Sequence, residues 1–137
     1  MLKDKVVIVS GARRGLGIEI SKELAERRAR VIICSRSMAD ARYSIAKSGL
    51  TAMTKHIALE YDTNSIRAYT LVPGNISTEA TFGSMILTER KKAAMENSRM
   101  RWEDPTEVAT IAASVASEDF AFATGITIIT DGGTVML

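Results

Sequence analysis

The sequence predicts an α/β fold: a doubly wound parallel sheet of about four strands, in the order 2-1-3-4. Three observations predict it. Short apolar runs rich in Val and Ile alternate with longer amphipathic runs, giving the order β-α-β-α-β-α-α-β. The strand candidates lack a polar alternation, as expected of strands covered on both faces. The unusual local sequences all fall at one edge of such a sheet. They are a glycine turn after strand one, Tyr43 at the head of the helix after strand two, and Pro73-Gly74 after strand three. In open parallel sheets that edge, beside the switch point, is where ligands bind.

Residues 5–9 read as the first buried strand. Leu16, Ile20 and Leu24 recur every fourth position among charged residues, which predicts a helix with one apolar stripe. Residues 30–34 repeat the strand pattern, and a polar link from Ser35 to Arg42 follows. Residues 43–61 predict a long helix with two apolar stripes. One contains Ala46, Leu50, Met53 and Ile57, the other Ile45, Gly49, Ala52 and Leu59. Two stripes imply contact on two sides, by the sheet and by a neighbour or partner subunit. Ile66–Val72 predicts a third strand, 75–87 a loop and Thr88–Asn97 a polar helix. Asp104-Pro105-Thr106-Glu107 is a strong helix start, with an acidic N-cap, proline at the first helical position and glutamate three residues after the cap. Ile126–Ile129 is the last strand, closed by Asp131-Gly132-Gly133.

The 137 residues suit one domain, residues 1–137. Eighteen basic residues against 16 acidic ones leave a net charge of +2, which argues against nucleic acid or an anionic membrane as partner. No apolar run reaches the length of a membrane span and no secretory leader is recognisable, so a cytoplasmic location is expected. Cys34 is the only cysteine, expected to pack as a small hydrophobe in its strand. No clustering of ligand-type residues suggests a metal. The one histidine, His56, is expected at a surface or interface.

Ser10-Gly11-Ala12-Arg13-Arg14-Gly15-Leu16-Gly17 joins strand one to the first helix. Glycines in the spacing G-x-x-x-G-x-G allow a tight turn and let an anion approach the backbone. The new helix points free N–H groups at it, which is how this architecture seats the diphosphate of a dinucleotide. Tyr43 and Lys47 stand one helical turn apart on one face. A free tyrosine titrates near about 10. A neighbouring cation favours the phenolate, so such a pair can pass a proton to or from a substrate oxygen.

Together these segments resemble the short-chain dehydrogenase/reductase family. Its cofactor loop resembles Ser10 to Gly17, its Y-x-x-x-K pair resembles Tyr43 and Lys47 with Ser48-Gly49-Leu50 after them, its P-G-x-I-x-T segment resembles Pro73 to Thr78, and its final strand resembles Gly125 to Gly133. The resemblance implies a Rossmann-like fold and hydride transfer between a nicotinamide dinucleotide and a small alcohol or ketone. It implies that Gly11, Gly15 and Gly17 surround the diphosphate, with Arg13, Arg14 and Leu16 in the same cofactor-binding loop, and that Tyr43 is the acid/base. It implies that Lys47 holds the nicotinamide ribose and depresses the tyrosine pKa. Pro73, Gly74, Ile76 and Thr78 would bind the cofactor, with the Ile76 backbone at the nicotinamide carboxamide and Thr78 holding the carboxamide or the phosphates. Strand two ends Cys34-Ser35-Arg36, where an acid would suit the ribose hydroxyls of NAD. Arg36, with Arg13 and Arg14 nearby, instead favours the 2′-phosphate of NADP.

The chain departs from the family in its middle. Three further strands normally separate strand two from the tyrosine helix, and they carry an N-N-A-G segment and the serine that polarises the substrate carbonyl. Here the position thirteen residues before Tyr43 is Arg30, inside strand two. The sequence reads as a truncated member joined within Ser37–Arg42. Arg28 also stands where a glycine is expected after the first helix. Two functions follow: an NADP-dependent oxidoreductase, or a non-catalytic nucleotide-binding or oligomer-forming remnant. A homo-oligomer is expected from the second stripe of the long helix.

Overall fold

The computed structural model describes residues 1–12, 15–34, 41–78 and 102–133, with the side chains of 41–47 outside that description. The elements are β1 (Val6–Ser10), α1 (Leu16–Glu26), β2 (Arg30–Cys34), α2 (Ala41–Glu60), β3 (Tyr69–Pro73), α3 (Pro105–Val115) and β4 (Ile126–Thr130). Short 3-10 turns at Asp62–Asn64 and Glu118–Phe120 follow α2 and α3. The helix expected at Thr88–Asn97 lies outside the described residues.

Helix α1 forms where the four-residue apolar spacing predicts it, and it buries Ser21 and Leu24. Its end shows what Arg28 does. The Arg28 N–H donates to the Ala25 carbonyl at 2.8 Å and the Ala29 N–H to the Leu24 carbonyl at 3.0 Å, the double bond of a left-handed helix cap. Arg28 holds φ at 73°, a region that glycine enters without penalty and arginine does not. Leu24 and Ala29 meet beneath this cap, inside a cluster with Leu2, Ala113, Val7, Val9 and Val31.

Helix α3 starts as the sequence predicts. Asp104 Oδ1 accepts from the Thr106 N–H at 2.8 Å, and Glu107 Oε2 accepts from the Asp104 N–H at 2.9 Å. Val108, Ala109, Ala113 and Val115 are buried, and α3 packs along α1. These two helices and the inner side chains of β1 and β2 form the principal core.

The strands form two parallel pairs. Val6 to Ser10 lie opposite Arg30 to Cys34, and Tyr69 to Pro73 lie opposite Ile126 to Thr130. The expected neighbours 2-1 and 3-4 are present. The continuous order 2-1-3-4 is not confirmed: among the described residues no ladder joins β1 to β3, and the ladders form two two-stranded sheets. Each pair is packed by its own helices, α1 on β1–β2 and α2 on β3–β4.

Burial corrects two more expectations. Strand β1 is covered on one face only: Val7 and Val9 pack into the core, while Ile8 is 65% exposed and Val6 is also exposed. Helices α1 and α3 cover one side of β1–β2, and nothing described covers the other. Cys34 lies on that bare side and is exposed rather than packed. The third strand begins at Tyr69 rather than Ile66. Residues before it serve the end of α3, where the Arg67 guanidinium donates to the Ser117 and Ala116 carbonyls at 2.9 and 3.2 Å.

Helix α2 packs on β3 and β4. The Thr70 hydroxyl donates to Thr54 Oγ1 at 2.9 Å, and Thr54 in turn donates to the Leu50 carbonyl. The Tyr69 hydroxyl, on the opposite face of β3, donates to the carbonyls of Ala123 and Phe120 after α3. Both faces of the β3–β4 pair are thus engaged. In the first stripe of α2, Leu50 and Ile57 are half-buried and Met53 is exposed. In the second, Gly49, Ala52 and Leu59 are exposed. His56 lies on the surface, 3.9 Å from Glu60.

Candidate dinucleotide-binding edge

The glycine turn follows β1 as expected. Gly11 has φ 82° and its N–H donates to the Cys34 carbonyl at 2.7 Å, which ties the turn to the end of β2. Gly15 has φ 60° and caps α1 without a side-chain hydrogen bond. Its carbonyl accepts from the Ile18 N–H at 3.1 Å, and the amides of Leu16 and Gly17 stand at the open end of the helix. A β-carbon on Gly17 would lie 2.4 Å from the Ala12 Cα and 2.7 Å from the Gly11 carbonyl oxygen. Only glycine lets α1 leave this close to the turn. Ala12, which the sequence reading had not singled out, is fully buried beneath this crossing. Its signal was no more than a small residue beside the glycines.

The second loop arrives from β3. Pro73 ends the strand, and a β-carbon on Gly74 would lie 2.9 Å from the Asp131 Cα. The chain after β3 therefore crosses closely over the chain after β4, where Asp131 Oδ1 accepts from the Gly133 N–H at 2.9 Å. Ile76 is buried and forms an isolated parallel bridge with Glu103. The Glu103 N–H donates to the Asn75 carbonyl at 2.8 Å, and the Ser77 N–H to the Glu103 carbonyl at 3.0 Å. These bonds pin the loop to the entry of α3 and deliver Thr78 to the glycine turn. A β-carbon on Gly15 would lie 3.6 Å from Thr78 Cγ2. Residues 63 positions apart thus meet at one edge, although no strand ladder joins β1 to β3.

Tyr43 and Lys47 fall in the first turns of α2, whose backbone is helical from Ala41. Their side chains lie outside the described residues, as do Arg13, Arg14 and Arg36. Among the described residues no group of His, Cys, Asp and Glu is arranged to hold a metal ion, and no helix is long and apolar enough to cross a membrane.

The donor set fits a dinucleotide diphosphate. The turn has no β-carbon at Gly11, Gly15 or Gly17, and the α1 amides have no competing side-chain cap.

Comparison with known proteins agrees with this geometry. The family model described as Enoyl-(Acyl carrier protein) reductase matches residues 36–135. The chain is 35% identical over 92 residues to glucose 1-dehydrogenase 2 of Bacillus subtilis, covering 67% of this chain and 36% of that protein. It is 34% identical over 91 residues to 7alpha-hydroxysteroid dehydrogenase of Bacteroides fragilis, covering 66% of this chain and 35% of that protein. The chain thus spans about a third of the length of the relatives it matches. In fold it is similar to a C-terminal deletion mutant of Thermoplasma acidophilum aldohexose dehydrogenase. The TM-score is 0.72 at 20% identity, over 96% of this chain and 97% of that one. That likeness extends the Rossmann-like fold across β1 and the glycine turn, which lie before the matched residues 36–135. The chain belongs to the short-chain dehydrogenase/reductase family.

Proposed function

We propose that the chain binds a nicotinamide dinucleotide at the edge formed by the glycine turn and the loop after β3. We further propose that it transfers hydride between that cofactor and a small alcohol or ketone. The observation that carries this reading is the approach of Thr78 to Gly15. It gives the crevice a floor at the turn and a wall at the β3 loop, and α2 begins after the same edge.

In this reading Gly11, Gly15, Leu16 and Gly17 present backbone amides to the diphosphate. NADP is preferred to NAD, because Arg13, Arg14 and Arg36 supply charge and planar donors for a 2′-phosphate, and the Cys34 carbonyl ties the end of β2 to the turn. Ile76 and Thr78 border the nicotinamide, with Pro73 and Gly74 setting their approach. Lys47 binds the ribose hydroxyls and lowers the tyrosine pKa. Tyr43 gives a proton to the substrate oxygen during reduction and takes it back during oxidation. The nicotinamide ring, when bound, supplies or accepts the hydride at the substrate carbon. Two copies associate through the exposed stripe of α2 that contains Gly49 and Ala52.

A second reading is a nucleotide-binding remnant without turnover. The bare face of β1–β2 and the separated strand pairs favour it, because the segment that carries the carbonyl-polarising serine in relatives has no counterpart here. Loss of such a donor costs on the order of a hundredfold or more in rate.

Titration of Trp102 fluorescence with NADPH and NADH, then a turnover assay over alcohols and ketones, separates the two. Tighter binding of NADPH, with turnover that Tyr43→Phe lowers by roughly a hundredfold or more, is expected for the enzyme. Binding without turnover assigns the remnant. No binding of either cofactor by a chain that melts cooperatively ends both.

A further inference from the structure

We propose that Thr70 and Thr54 are positioning residues: their hydroxyl pair pins α2 along β3–β4 and so sets the height at which Tyr43 and Lys47 meet the loop after β3. The proposal rests on the reading that Tyr43 and Lys47 serve a nicotinamide dinucleotide bound at that edge.

Two contacts fix the course of α2 over the strand pair. A β-carbon on Gly125, just before β4, would lie 3.0 Å from the Ala58 Cβ. Four residues earlier on the helix, Thr54 Oγ1 accepts from the Thr70 hydroxyl at 2.9 Å, and Thr70 stands opposite Thr127 of β4. From Ala58 back to Thr54 the helix rises about 6 Å. From Gly125 to Thr127 the strand rises about 7 Å. The helix thus descends in step with the rising strands. Followed back toward its start, α2 carries the backbone of Lys47 about 10 Å above Thr54 and that of Tyr43 about 16 Å above it. Both spacings fall within about 20° of whole helical turns, so positions 43, 47 and 54 share one face. Pro73 lies three residues beyond Thr70, about 10 Å up the strand. Lys47 is therefore level with Pro73, and Tyr43 stands about 6 Å past it, where the chain from Gly74 leads to Ile76.

Apolar packing does not supply this setting. Val72 and Ile129 lie on the same face of the pair as Thr70, and they remain 42% and 44% exposed. Among the described side chains of α2 the buried ones are Thr54 and Ala58, both small. Burial of apolar surface has no preferred direction and tolerates sliding, whereas a hydrogen bond is lost within a fraction of a helical turn. The bond also has a fixed sense. Thr54 donates its one proton to the Leu50 carbonyl at 2.9 Å, so toward Thr70 it can only accept. Among the described residues it is the one side-chain hydrogen bond from α2 to a strand. Sliding by a single turn would carry Tyr43 about 5.4 Å along the edge. A misplacement of about 1 Å is enough to cost on the order of a hundredfold in rate.

Thr70→Val keeps the shape of the side chain and removes the donor, and Thr70→Ser keeps a hydroxyl. Ionisation of Tyr43 tests the pin, read as the near-ultraviolet difference between each protein and its Tyr43→Phe counterpart, with and without NADP+. Bound NADP+ should lower the wild-type midpoint by about one pH unit. In Thr70→Val that drop should shrink to less than about half, while the midpoint without cofactor stays in place, because Lys47 travels on the same helix. Affinity for NADP+ should change by less than about twofold, because the glycine turn belongs to the other strand pair. In turnover, kcat should fall about tenfold or more with the cofactor KM unchanged. Thr70→Ser should recover both readings. A wild-type ionisation indifferent to NADP+ would overturn the proposal together with the reading on which it rests. A wild-type drop that survives intact in Thr70→Val would overturn the pin alone. So would a loss that Thr70→Ser does not recover, since volume rather than the hydrogen bond would then be responsible. The ionisation decides with or without turnover, and Thr54→Val decides in the same way if Thr70→Val folds poorly.

Discussion

The two strand pairs have the same length, direction and register, yet they live in different surroundings. The β3–β4 pair has α2 on one face and the turn after α3 on the other, with Thr70 bonded to Thr54 and Tyr69 bonded to Ala123. The β1–β2 pair has α1 and α3 on one face and, among the described residues, no element on the other, where Val6, Ile8 and Ile32 are exposed. Hydrophobicity alone does not decide burial: β1 and β2 are the runs of Val and Ile, whereas β3 reads Tyr-Thr-Leu-Val-Pro and β4 Ile-Thr-Ile-Ile-Thr. The difference teaches that burial of a parallel strand belongs to what packs on it.

The largest expected effect breaks that comparison within one pair. Leu24→Ala empties a fully buried site between α1 and β1–β2 and should cost about 3 kcal/mol in urea unfolding. Ile8→Ala, on the bare face of the same sheet, should cost about 0.5 kcal/mol or less. Equal costs would mean that the outer face is covered in solution.

The turn between α1 and β2 gives a smaller effect of opposite sign. Arg28→Gly relieves a left-handed arginine inside an otherwise complete helix cap and should raise stability by about 1 kcal/mol. A neutral or destabilising result would show that the arginine side chain contributes more than its backbone costs.

The smallest effect lies in the strap between the two pairs. Lys5, just before β1, pairs with Glu118, after α3, and its hydrogen bond and charge hold the Glu118 carboxyl below its ordinary range. A carboxyl depressed by folding contributes stability that is present above its unfolded value and is lost as pH falls through its folded value. Both side chains are exposed, so the contribution is small and screened by salt. Lys5→Met should therefore narrow the difference in melting temperature between neutral and acid pH only slightly. An unchanged difference would remove the strap from the account.

Much of the site was legible because local sequence dictates local geometry. The glycine spacing produced a turn in which Gly17 admits no β-carbon and Gly11 and Gly15 hold positive φ, and Asp104 to Glu107 produced the helix start they spell. Pro73 ended its strand, and Arg28 entered the left-handed region that a glycine would have occupied at no cost. These outcomes depend on residues within one turn of each other. The buried Ala12 and the close crossing of Gly74 over Asp131 were not legible, because each depends on a partner brought in by packing.

From the sequence alone came the element order, the parallel pairing of neighbours, the helix caps and the family to which the chain belongs, since all of these follow from short-range pattern. Only the tertiary structure decided that, among the described residues, no ladder joins β1 to β3, that no described element covers the outer face of β1–β2, and that Thr78 nonetheless reaches Gly15. Side-chain pattern can state that a strand should be covered. It cannot state which element packs there, nor which distant loop arrives at the same edge.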